Sequence, residues 1–256
     1  MKELKEKYAL ILGGSSGLGL ATAKKLAESG FHCIIVYRDR KSSLAQFEGH
    51  VKKMQANGVS VTTFNKDALK EETIADVLAE ISNNSVAVLV HSIAKGSLKA
   101  LTGGSSSLSK GDLDITLHAM ATSWWQWTQA LIRHNKFTDA PRNIAFTSEG
   151  NSKVWEGYGA VSAAKATLEA LMKQMAVELA TLGITTNCIQ AGATQTPSFA
   201  MIPNSEQLAE MARKRNPFKR LTTPEDVANA VWLLCQEEGK WINGTVLKVD
   251  GGESLR

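Results

Sequence analysis

The chain has 256 residues, 43% of them hydrophobic and 21% charged, enough to bury a large core without disulfide or metal staples. A formal charge of +4, from 29 basic against 25 acidic side chains, is too dilute for a nucleic-acid footprint. No apolar run approaches the roughly 18 residues of a membrane span, and the opening Met-Lys-Glu-Leu-Lys-Glu-Lys lacks the apolar stretch of a leader, so a cytoplasmic location with no membrane or nucleic-acid partner is the expectation.

Short apolar runs rich in β-branched residues at 8–12, 33–37, 59–64, 86–90, 143–147, 184–189 and 246–249 read as seven buried strands. Helical spacing recurs between them at 21–29, 44–55, 72–81, 113–133, 160–182 and 225–236. Thr223-Pro224-Glu225-Asp226 has the form of a helix start, with proline at the first helical position. Strand and helix alternate, with connections too long for hairpins. The expectation is therefore α/β: one doubly wound, Rossmann-type domain over 1–256, with a seven-stranded parallel sheet flanked by helices. The Gly/Ser-rich stretch 96–112 reads as a loop rather than a domain boundary. Cys33, Cys188 and Cys235, far apart in apolar surroundings, read as reduced thiols, and no metal site is expected.

The first strand runs directly into Gly13-Gly14-Ser15-Ser16-Gly17-Leu18-Gly19 and then a helix. Such a turn must bend sharply, let a pyrophosphate approach the backbone and offer N–H groups at a helix N-terminus. Gly103-Gly104-Ser105-Ser106-Ser107 is a decoy, because no strand precedes it and the later glycines are missing. After the second strand, Tyr37 stands where an acid would hold the ribose hydroxyls of NAD, and Arg38, Arg40 and Lys41 follow. Arginine grips a 2′-phosphate with a planar fork, so NADPH is expected over NADH, with a solvated basic turn, partly neutralised by Asp39, as the alternative.

The spacing Gly13-x3-Gly17-x-Gly19 resembles the TGxxxGxG of the short-chain dehydrogenase/reductase family, with Leu12 in place of the threonine. The resemblance runs over nearly the whole chain. It takes in Asp67-Ala68 after the third strand, Gly192-Ala193-Thr194-Gln195-Thr196 after the sixth, and Val249-Asp250-Gly251-Gly252 near the end. The family places these regions at the adenine, at the nicotinamide side and at the end of the sheet.

A Tyr-x3-Lys at Tyr37 and Lys41 falls at the adenosine end, too far away for chemistry. The informative pair is Tyr158 and Lys165, a Tyr-x6-Lys, and seven residues are close to two helical turns, so both share a face if both lie on the helix. That spacing resembles the divergent enoyl-acyl carrier protein reductases of the family. A separate likeness is His91-Ser92-Ile93-Ala94, at the end of the fourth strand. The resemblance implies hydride transfer from NADPH to the β-carbon of a trans-2-enoyl thioester, with Tyr158 donating to the nascent enolate oxygen and Lys165 holding the nicotinamide ribose. Ser148 stands ten residues before Tyr158, where the best-known enoyl reductases carry a second tyrosine, and His118 stands for the helix asparagine of commoner members. These departures resemble the third, more reductase-like subgroup. A 3-oxoacyl thioester or other carbonyl reductase, and an NADPH-sensing protein without turnover, remain as alternatives.

By the same likeness, the cofactor set comprises Gly13, Ser15, Ser16, Gly17, Leu18 and Gly19 at the turn; Arg38, Asp67 and Ala68 at the adenosine; Ser92, Ile93 and Ala94 after the fourth strand; and Lys165, Gly192, Thr194 and Thr196 at the nicotinamide. A substrate-covering loop is expected at about 196–216, with Phe199, Met201 and Ile202 as substrate contacts or ordinary packing residues. The run from Arg213 to Arg220 holds five cations and no acid, which reads as a solvated face or a dock for acyl carrier protein bearing the enoyl substrate. Trp124 and Trp127 can join a core while Trp125 points elsewhere, and the family likeness implies a homotetramer.

Overall fold

The computed structural model describes residues 7–104 and 106–256; the first six residues read for a leader, and Ser105 of the glycine-serine decoy, lie outside them. Seven strands, β1 (Tyr8–Leu12), β2 (His32–Tyr37), β3 (Val61–Asn65), β4 (Val86–His91), β5 (Phe137–Thr147), β6 (Thr185–Ala191) and β7 (Val246–Val249), form one parallel sheet in the order β3-β2-β1-β4-β5-β6-β7. The order reverses between β1 and β4. There the carboxyl ends of the two strands leave a crevice, the usual ligand position of an open α/β sheet.

The strands read as unbroken apolar runs because both faces of the sheet are covered. In β1, Leu10 and Leu12 pack on one side with Trp124, Trp127, Leu168 and Ile74, while Ala9 and Ile11 pack on the other with Leu26, Phe47 and Val231. The first layer is built by α3 (Glu71–Ala79), α5 (Ser123–Arg133) and α6 (Gly159–Glu178), and the second by α1 (Gly17–Glu28), α2 (Lys41–Gln55) and α9 (Pro224–Leu234). Thr223 caps α9 in a reciprocal capping box with Asp226, and Pro224 takes the first position, as its sequence predicts.

Several boundaries differ from the expected ones, and three of the differences have a clear local cause. The helix predicted over 113–133 is α4 (Lys110–Leu117), a π turn His118–Thr122, and then α5. One wide turn re-phases the helix without exposing its apolar stripe, so hydrophobic spacing does not reveal it. Trp124 and Trp127 are fully buried, their indoles donating to Asn143 Oδ1 and to the Ala68 carbonyl, whereas Trp125 is 42% exposed. Strand β5 begins at Phe137 rather than Asn143: residues 138–141 bulge between the Phe137 and Arg142 pairings with β4, and this partly exposed stretch carries no apolar run to mark it as strand. Helix α6 stops at Glu178, and Gly183 ends the following short turn Ala180–Leu182 in a left-handed conformation. Cys33 and Cys188 are buried free thiols and Cys235 is half-buried. Among the described residues, no helix is long and apolar enough to cross a membrane.

Candidate active site

The crevice between β1 and β4 opens into a cleft of about 1740 Å³. On its floor Gly13 has φ +86°, and a Cβ there would lie 2.6 Å from the Ser92 carbonyl oxygen, so this turn accepts glycine alone. Helix α1 starts at Gly17 with Ser16 extended before it, no side-chain cap and no acid in its first turn. Its leading amides are open to an anion, and Gly13, Ser16, Gly17 and Leu18 line the cleft, a cradle that fits a pyrophosphate. Ser92, Ile93 and Ala94 line the opposite side, and Gly192, Thr194 and Thr196 close it beyond β6.

Five members of the expected cofactor set do not line this cleft: Ser15, Gly19, Arg38, Asp67 and Ala68. Gly19 serves packing, since a Cβ there would lie 2.2 Å from the Gly13 carbonyl oxygen. Arg38 and Asp67, expected at two different parts of the adenosine, are paired with each other at 2.9 Å. Ala68 is buried. Tyr37 is buried against the Phe47 ring and Lys41 opens α2, so that tyrosine-lysine pair belongs to packing and helix structure.

Tyr158, Ser148 and Lys165 line the cleft together. Tyr158 is not on the helix, as a shared helical face requires; it is the residue before α6, with φ −94° and ψ 1°. The cap places its ring over the short turn Glu149–Asn151. Burial raises the phenol's pKa, with the nearby Ser148 hydroxyl acting the other way, so Tyr158 is a protonated donor at neutral pH. The Ser148 Oγ is itself buried and has no hydrogen-bond partner among the described residues.

Lys165 is buried and donates to the Phe146 carbonyl at 2.7 Å. Burial lowers its pKa to about 8, with Cys188 and Glu169 acting in the opposite direction. His91, at the end of β4, is held at 2.9 Å from Ser123 Oγ. Burial and the Lys165 charge push its pKa down to about 3, so it is neutral. His118 faces away from the cleft, toward Thr122 Oγ1 at 3.1 Å and the Leu69 carbonyl at 3.4 Å.

The outer wall comes from 196–216, which folds as α7 (Pro197–Ala200) and α8 (Ser205–Arg215). Phe199, Met201 and Ile202 line it, together with Leu208 and Met211. Sequence reasoning missed Trp155, which lines the cleft and meets Tyr158 edge-on at 5.2 Å between ring centroids. An aromatic residue three positions before the candidate phenol was the available signal. The cation run is not one free basic face. Lys214 pairs with Glu210, Arg215 with Glu149 and Glu253, and Arg220 with Asp226.

A glycine cradle at the sheet's switch point, facing a phenol and an ammonium across one cleft, defines a nucleotide-dependent α/β oxidoreductase. The chain belongs to the short-chain dehydrogenase/reductase family: residues 13–254 match the family model described as Enoyl-(Acyl carrier protein) reductase. It is 30% identical, over 98% of both chains, to a (2S)-[(R)-hydroxy(phenyl)methyl]succinyl-CoA dehydrogenase subunit of Thauera aromatica. Its fold matches a Burkholderia cenocepacia short chain dehydrogenase solved in complex with NADP, with 28% identity, TM-score 0.82, and 99% of this chain and 100% of that one covered. It likewise matches an enoyl-[acyl-carrier-protein] reductase (NADH) of Aquifex aeolicus, with 26% identity, TM-score 0.82 and 99% of both chains covered.

Proposed function

We propose that the protein is an NADPH-dependent enoyl thioester reductase that reduces trans-2-enoyl groups carried by acyl carrier protein in fatty-acid synthesis. One observation carries the reading: Tyr158 and Lys165, seven residues apart, line the same cleft as the glycine cradle, beneath an apolar wall. The likeness to the Aquifex enzyme supports it.

When bound, NADPH supplies the hydride. The Gly13 turn and the first amides of α1 would hold its pyrophosphate, and Arg38, now paired with Asp67 outside the cleft, would be the partner for a 2′-phosphate. Lys165 would hold the nicotinamide ribose, and Ser92, Ile93, Ala94, Gly192, Thr194 and Thr196, which line the same cleft, would surround the nicotinamide. Tyr158 donates a hydrogen bond from its hydroxyl to the thioester oxygen as enolate charge grows there, Ser148 offers a second hydroxyl beside it, and a solvent proton taken up at the α-carbon completes the reduction. Phe199, Met201 and Ile202 cover the acyl chain. We carry a cytoplasmic homotetramer as part of the same proposal; sedimentation equilibrium at the monomer mass of 27.6 kDa counts against that assembly.

A second reading is a 3-oxoacyl thioester reductase, favoured by Ser148 beside Tyr158, since two hydroxyl donors also suit a ketone oxygen. Purified protein offered crotonyl and acetoacetyl thioesters, each with NADPH and with NADH, separates the two. Oxidation of NADPH with crotonyl thioester supports the enoyl reading. Turnover of the acetoacetyl compound alone overturns it.

A further inference from the structure

Three chain segments that build the cleft meet at one guanidinium. Arg215 is the last residue of α8, and its terminal nitrogen lies 2.8 Å from Glu149 Oε2 and 2.7 Å from Glu253 Oε1. Glu149 directly follows Ser148 and opens the turn under the Tyr158 ring. Glu253 lies beyond β7, and its other oxygen accepts from the Ala193 amide at 3.2 Å, in the loop that carries Gly192 and Thr194. The two carboxylate side chains are 11% and 5% exposed and that of Arg215 is 26% exposed, so this is a largely desolvated junction in which each charge depends on its partners. Lys153 takes the remaining Glu149 oxygen at 2.7 Å.

The two ends of α8 are held very differently. At its start, Asn204 is left-handed and makes no side-chain cap. At its end, Asn216 donates to the Asp250 carbonyl at 2.8 Å immediately after the Arg215 junction. Between them, Gln207, Leu208 and Met211 face the cleft. A rigid helix pinned at one end turns about that end.

We propose that Arg215 is a positioning residue: by bridging Glu149 and Glu253 it forms the pivot of the wall 196–216 and ties the set of that wall to the turn carrying Ser148 and the Tyr158 ring. An arginine suits this because its planar fork presents several donors in fixed geometry, so two carboxylates on separate segments are held at a defined separation. This role rests on the cleft's being the reaction site proposed above, but its structural test does not depend on which substrate is reduced.

The test is hydrogen exchange by mass spectrometry on the full chain saturated with NADPH, comparing wild type, Arg215→Ala and Glu149→Gln. Arg215→Ala is expected to speed exchange at least about threefold in peptides covering both 149–158 and 197–215, with the sheet strands unchanged. NADPH affinity stays within about threefold, and kcat/KM for the reduced thioester falls about tenfold to a hundredfold, through both KM and kcat. Glu149→Gln, which weakens one arm and keeps the guanidinium, is expected to speed exchange in the same two segments to a smaller extent, so the prediction survives if Arg215→Ala does not fold. Faster exchange confined to 197–215, or unchanged exchange in both variants, overturns the proposal. Coupled exchange in a protein that reduces no thioester supports the pivot and removes the enoyl reading instead.

Discussion

The ring of Tyr158 occupies the space over Gly150 that any side chain there would fill: a Cβ built on Gly150 lies 2.3 Å from Tyr158 Cε1 and 3.1 Å from Trp155 Cζ3. The phenol's place is thus set by a bare backbone beneath it and by the helix cap behind it. Gly150→Ala is expected to displace the ring and lower kcat by about a hundredfold, at an overpacking cost of about 1–3 kcal/mol in stability. Paired measurement of turnover and thermal unfolding checks this; an active Gly150→Ala variant means that the ring position is not needed.

Removing the phenolic hydroxyl isolates its chemistry from its packing. Tyr158→Phe is expected to lower kcat by about 10²–10³, the loss associated with one oxyanion donor, with NADPH affinity within about threefold of wild type. Steady-state kinetics with fluorescence titration of NADPH measure both quantities, and unimpaired turnover contradicts the assignment.

Lys165 carries a sign that separates function from stability. Its folded pKa of about 8 lies below the unfolded value near 10.4, so at neutral pH the fold bears a buried charge. Between about pH 8 and 10 the unfolded chain binds more protons, and stability therefore rises with pH. Lys165→Met is expected to raise the apo melting temperature at pH 7, with the advantage shrinking as pH rises through that window, and to weaken NADPH binding. Thermal melts from pH 7 to 10 decide the sign.

His91 works at the other end of the scale. Held neutral in the fold with a pKa of about 3 against about 6.5 unfolded, it makes the unfolded chain the stronger proton binder between those values. Stability is expected to fall by up to about 1.4 kcal/mol per pH unit as pH drops through that window, a slope that His91→Gln flattens. Urea unfolding at pH 7, 6, 5 and 4 measures the slope.

Beyond β2, Asp67 occupies the Arg38 guanidinium and so competes with any phosphate for it. Arg38→Ala is expected to weaken NADPH about tenfold and leave NADH unchanged, whereas Asp67→Asn, by freeing the guanidinium, tightens NADPH at low salt. Equal losses for both nucleotides on Arg38→Ala exclude the 2′-phosphate role.

The cradle and the strands were legible in advance because both depend on neighbours in the chain: Gly13 follows β1 directly, and Leu10, Ile11 and Leu12 declare a doubly covered strand by being apolar in succession. The Tyr158-to-Lys165 spacing pointed to one site for both groups, although it suggested a shared helical face where the structure uses a cap. The π turn at His118 was not legible, since an extra residue in a helix changes which side chain faces the sheet without changing the residue types.

Local order along the chain, then, determined the fold class, the glycine turn before α1 and the spacing that pairs Tyr158 with Lys165, because propensity, turn geometry and periodicity act over a few residues. Tertiary structure alone decided that Arg38 meets Asp67, that Arg215 joins Glu149 to Glu253, and that Trp155 stands against Tyr158. The long-range ion pairs depend on which strand ends the sheet order brings together, while Trp155 depends on how the turn before α6 folds over Gly150. Charge and spacing alone leave both undetermined.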